Sequence, residues 1–67
     1  MHPPEFGDLV YAESVAGNRR IGIFIRSKID QYNIVRFIII FPEGIADINV
    51  KFLWSWFILR RYDELLV

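Results

Sequence analysis

The sequence predicts an all-β fold, a small five-stranded barrel or strongly curled sheet with strongly bent strands. Three observations carry that reading. Isoleucine occurs 11 times and valine 5 times against 5 leucines and 3 alanines, with 16% aromatic residues. β-branched and aromatic side chains suit a pleated surface and lose rotamer freedom in helices. Apolar residues alternate with period two over several segments, and clusters of Gly, Pro, Asn and Asp separate those segments.

The segments follow in order along a single domain spanning residues 1–67. Met1 to Glu5 contains two prolines and reads as a loose N-terminal arm. Asp8 to Glu13 is a short strand, and Ser14 to Asn18 a loop in which Gly17-Asn18 suits positive φ. Arg19 to Ser27 alternates, with Ile21, Ile23 and Ile25 on one face and Arg20, Gly22, Phe24 and Arg26 on the other. A glycine in mid-strand, Gly22, marks a bend or a close backbone approach. Lys28 to Gln31 is a polar turn. Tyr32 to Phe41 is the strongest strand, apolar on both faces and so expected to be covered on both sides. Pro42-Glu43-Gly44 is a hairpin turn. Ala46 to Leu59 alternates over a length that calls for a bend or a bulge, with Trp54 and Trp56 on one face. A 3₁₀ turn is expected at Arg60 to Glu64 and a closing strand at Leu65 to Val67.

Composition excludes more than it names. The chain has no cysteine and one histidine, His2, which leaves no thiolate or histidine metal site, no disulfide and no cysteine nucleophile. Its carboxylates are scattered without a nucleophile and base beside them, and its glycines do not have phosphate-loop spacing. The expectation is a non-enzymatic protein without metal or cofactor. No apolar run approaches the ~20 residues of a membrane-spanning helix, and the N-terminus lacks the basic start and apolar core of a signal peptide. The expected compartment is the cytoplasm. Eight basic residues balance eight acidic ones, so net charge offers no argument for nucleic acid. A domain this small buries only ~60% of its unfolded surface, yet 54% of its residues are hydrophobic. The surplus is read as an interface between copies, carried by Val35, Phe37, Ile39, Trp54 and Trp56.

Local clusters leave open questions. Arg19, Arg20 and Arg26 either contact phosphates or solubilise strand ends. Arg60-Arg61 beside Tyr62 suggests phosphate contact and base stacking, or ion pairs with neighbouring acids. Arg36 interrupts an apolar strand, and a buried charge is costly unless paired. It either lines a pore between copies or pairs across an interface with an acid such as Asp47 or Glu43. Trp54 and Trp56 form a stacking platform if exposed, or core or interface anchors if buried.

Phe6-Gly7-Asp8-Leu9-Val10, Ile21-Gly22-Ile23-Phe24-Ile25 and Tyr32-Asn33-Ile34-Val35-Arg36-Phe37, followed by a late tryptophan and Leu65-Leu66, together resemble the Sm-like and SH3-like small barrels, in particular short barrel proteins of marine cyanophages. The chain departs from that pattern in the apolar Trp54-Ser55-Trp56 segment. It also lacks the Sm signature of an aspartate and an asparagine flanking an aromatic. The resemblance implies homo-oligomerisation into a closed ring, binding of RNA or single-stranded DNA, and, for a phage-encoded chain, the host cytoplasm. Arg19, Arg20, Arg26 and Arg36 are the candidates for the phosphate contacts, and the alternative is a structural or adaptor subunit that binds no nucleic acid.

Overall fold

A computed structural model describes residues 3–61. Five antiparallel strands form one sheet: β1 (Leu9–Ser14), β2 (Arg19–Ile29), β3 (Val35–Phe41), β4 (Gly44–Asn49) and β5 (Leu53–Arg60). The order across the sheet is β4-β3-β2-β1-β5, so the first four strands form a meander and β5 returns beside β1. β4 and β5 are the two edges. They are not hydrogen-bonded to each other, and the sheet is not closed.

The turns explain where the strands stop. Ser14 and Asn18 close the β1–β2 loop through a backbone bond of 2.9 Å, with Gly17 at φ +88°. Between β2 and β3, one Asp30 carboxylate oxygen accepts from the amides of Tyr32 (2.8 Å) and Ile34 (3.1 Å). This Asx-type turn places Asn33 at φ +62°, a conformation asparagine tolerates. The turn therefore runs through Ile34, and β3 begins at Val35 rather than at Tyr32. Pro42 and Glu43 join β3 to β4 as expected, with Gly44 at φ +139°.

The expected single strand over 46–59 is two strands. A 3₁₀ turn at Val50–Phe52, capped by the Asn49 side chain accepting from the Lys51 amide at 2.9 Å, breaks the run and carries the chain from one edge of the sheet to the other. The anticipated 3₁₀ turn at 60–64 starts on a residue that ends β5, Arg61 after it is in no regular element, and residues 62–64 and the closing strand at 65–67 lie outside the described residues. At the N-terminal end, hydrogen bonds reach Pro3 and Glu5. Asp8 is buried, and its carboxylate accepts from the Glu5 amide (2.9 Å) and from Arg61 (3.0 Å), which also donates to the Pro3 carbonyl (2.9 Å).

Three bulges decide which side chains face inward. Phe24 pairs with Ile39 and Arg26 with Ile38, so Ile25 is an extra residue in β2. In β5, Trp54 and Leu59 are extra in the same way against β1. An extra residue shifts the alternation that follows it. Gly22 and Phe24 face the interior while Arg26 has moved to the outer face, so Arg20 and Arg26 do not share a face. Trp54 and Trp56 do not share one either. Trp56 packs edge-on against Phe37, with ring centres 5.1 Å apart, while Trp54 is 76% exposed.

The core gathers Val10, Ala12, Phe24, Phe37, Ile39 and Phe41. Ala46 and Ile48 of β4 and Leu53, Trp56 and Ile58 of β5 pack against it, so the sheet curls until both edges share one interior. Phe37 and Ile39 are thus enclosed by their own chain, and these two interface candidates offer nothing to a neighbouring copy. Val35, at the start of β3, and Trp54 remain exposed. The other face of β3 is only partly covered, since Ile38 is half-buried and Ile40 is exposed. The strand is therefore not sealed on both sides as its composition suggested.

Gly22 makes the curl possible. A Cβ there would lie 2.6 Å from Ile39 Cγ2 and 2.7 Å from both the Ile40 carbonyl oxygen and Phe41 Cδ1. One of those obstacles is backbone and cannot rotate away. Gly22→Ala is expected to destabilise the fold by about 2 kcal/mol through overpacking, lowering Tm by roughly 10 °C. A thermal melt by circular dichroism that left Tm unchanged would contradict this packing.

Candidate interaction surfaces

The outer face of the sheet is the largest organised feature outside the core. Antiparallel partners point to the same side, so register defines rows that cross the strands. Ile45, Ile40, Ile23 and Leu9 are consecutive partners on β4, β3, β2 and β1. In the next row Ile21, Tyr11 and Phe57 are partners across β2, β1 and β5. Tyr11 and Phe57 stack with ring centres 4.8 Å apart, and the Tyr11 hydroxyl donates to Glu13 at 3.0 Å. Desolvation first, then that carboxylate, raises the Tyr11 pKa above its ordinary value.

Charged rows border this apolar band. On one side Lys28 stands directly opposite Arg36, a like-charge pair that is unfavourable by itself. Asp47 resolves it, with one oxygen 2.7 Å from Arg36 Nε and the other 3.1 Å from Lys28 Nζ, and Asp30 adds a contact to Arg36 at 3.5 Å. Arg36 thus has the Asp47 partner anticipated for it, but within one chain rather than across an interface. The Asp47 carboxyl is held below the usual carboxylate value by its hydrogen bonds from Arg36 and then Lys28. Asp30 is lowered chiefly by the Ile34 amide. The Arg36 pKa is raised, mainly by Asp47.

The other arginines are dispersed. Arg19 lies 3.7 Å from Glu13 on the far border of the band. Arg20 sits 5.8 Å above the Phe41 ring and is ion-paired to Glu43. Arg19, Arg20 and Glu43, together with Tyr11, Ile21 and Pro42, line an open cleft of about 710 Å³. Of the four candidate phosphate ligands, only Arg26 has no carboxylate among the described residues within ion-pair distance, and the four do not form one patch. Arg60, read from the sequence as part of a second basic cluster, and Lys51 are also without one among the described residues.

A second groove, of about 240 Å³, opens where β4 and β5 fail to meet. Ala12, Phe41, Ala46, Ile48, Phe52 and Leu53 line it. Among the described residues no group of three or more His, Cys, Asp or Glu side chains is placed to hold a metal ion. No helix among them is long and apolar enough to cross a membrane.

No protein-family profile, curated protein or solved structure matches this chain. Its chemistry therefore has to be read from the surfaces themselves, which are apolar bands and grooves bordered by arginines that are mostly neutralised.

The two depressed carboxyls make stability depend on pH. A group whose folded pKa lies below its unfolded value stabilises the fold above about pH 4 and loses that contribution as pH falls through the folded value. The urea midpoint is expected to fall between about pH 5 and pH 2, and to fall less steeply in Arg36→Met, where Asp47 loses the main cause of its shift. Parallel pH profiles for the two proteins would show that Arg36 does not hold this network.

Proposed function

We propose that this chain is an Sm/SH3-like small-barrel module whose role is assembly: a structural or adaptor subunit that self-associates and performs no catalysis. One observation carries the reading. Among the described residues, twelve large hydrophobic side chains are exposed against six apolar residues in the core. Isolated exposed apolar residues are ordinary, but contiguous patches mark sites of association. The strand order, with β5 beside β1 and both edges contributing to one core, supports the small-barrel assignment. The open edges of β4 and β5 are suited to the ring that the resemblance implies, because an unpaired strand edge is a template for pairing with another copy. A phage-related setting in the host cytoplasm belongs to the same proposal.

Nucleic-acid binding is the second reading, and Trp54 favours it. A tryptophan 76% exposed, two residues beyond the exposed Phe52 and three beyond Lys51, is a stacking surface with a cation nearby. Against it, Arg19, Arg20 and Arg36 are each already engaged by carboxylates of their own chain.

Light scattering on the native protein is expected to give at least twice the chain mass of 8.0 kDa. A monomer at high concentration would remove the assembly reading. Fluorescence anisotropy with labelled single-stranded RNA and DNA at low salt is expected to show no binding. Binding that weakens steeply with salt and is lost in Trp54→Ala and Arg26→Ala would promote the second reading over the first.

A further inference from the structure

We propose that the outer-face apolar band is the docking surface for a second copy of this chain, giving a two-fold dimer of stacked sheets. This rests on the self-association proposed above and assigns it to the outer face of the sheet instead of to the strand edges that a ring would pair. The row Ile45–Ile40–Ile23–Leu9 runs unbroken over four strands, and Ile21, Tyr11 and Phe57 widen it toward β5. Within the band Ile45 is 72% exposed, Ile21 50%, Phe57 48% and Ile40 40%, so it is apolar surface that the chain's own fold leaves uncovered.

Three features favour a second copy as the occupant. The first is area. The exposed fractions leave on the order of 250 Å² of apolar side chain open, and the half-buried members raise that to about 400 Å² per copy. Two copies therefore remove about 800 Å², and the charged borders supply the remainder of the ~1,200 Å² at which specific interfaces begin. The second is charge. The band carries no formal charge and the whole chain is neutral, so two copies meet without mutual repulsion.

The third is complementarity at the borders. Each border carries both signs, Arg26, Lys28, Arg36 and Asp47 on one side and Arg19 and Glu13 on the other. A two-fold axis running across the strands sets one border over the other. β2 then lies over β2 of the second copy, so Arg26, which has no carboxylate partner among the described residues, comes over the Arg19–Glu13 ion pair, one strand away from Glu13 itself. Two pleated faces stacked in this way lie about 10 Å apart with their strands nearly aligned, which lets the isoleucines interdigitate. A two-fold interface also uses each residue twice.

Sedimentation equilibrium tests the assignment. Ile45→Lys and Ile21→Lys place charges on outward positions in two different strands, and circular dichroism checks that each variant keeps its fold. Trp54→Ser, at a bulge outside the band, serves as the control. The expected result is a wild-type dimer that is retained in Trp54→Ser and converted to monomer in both lysine variants, with dissociation at least tenfold weaker-binding than wild type. Association that survives both lysine substitutions would overturn the face assignment while leaving self-association standing. A wild-type monomer would overturn both.

Discussion

The fold depends on one close crossing. At Gly22 the backbone of β2 and the side chains of Ile39 and Phe41 come nearer than any Cβ would permit. That approach lets β3 fold over β2 so that Phe37, Ile39 and Phe41 reach the same interior as Val10 and Ala12. With a flatter sheet, the Trp56 and Ile58 side chains on one edge and Ala46 and Ile48 on the other would have no common core to join. In a chain without a disulfide, that shared interior is the main source of stability. Its small size is also why so much apolar surface is left on the opposite face.

Much of this was legible in the residues. Period-two alternation located the first three strands to within a few positions, Pro42-Glu43-Gly44 located a hairpin, and Gly22 announced a close approach. What alternation could not locate were the insertions. Ile25, Trp54 and Leu59 are apolar residues in apolar runs, and nothing in their identity distinguishes an extra residue from a paired one. Each one nevertheless shifts the strand that follows. This is how Trp54 and Trp56, two positions apart, came to lie on different sides, and how Arg26 left the face of Arg20. The 3₁₀ turn at Val50–Phe52 was hidden for a related reason, because Val, Lys and Phe continue the alternation through a break set by the Asn49 cap.

The candidate surface was legible in kind more than in place. Excess apolar composition pointed to association, but β3 offers two apolar faces and composition does not rank them. Burial ranks them. Phe37 and Ile39 are consumed by the interior, and Ile38 and Ile40 are left on the outer face. For Arg36 the sequence supplied the partner, Asp47, while register explains the need for one, since Lys28 stands directly opposite. Charge pairing of this kind also accounts for why a chain with eight cations presents few of them for other use.

The topology also carries a kinetic meaning. β2, β3 and β4 are joined by tight turns and can zip together locally, whereas β1 is completed only when Val10 finds Ile58 at the far end of the chain. Closing so long a loop is entropically slow, and β-rich chains dominated by such pairings fold on the order of milliseconds to seconds. Until β5 arrives, the free side of β1 is an unoccupied template displaying Val10 and Ala12. During synthesis, a neighbouring nascent chain could donate its own β5 to that position, so exchanged strands are the characteristic misassembly of this architecture.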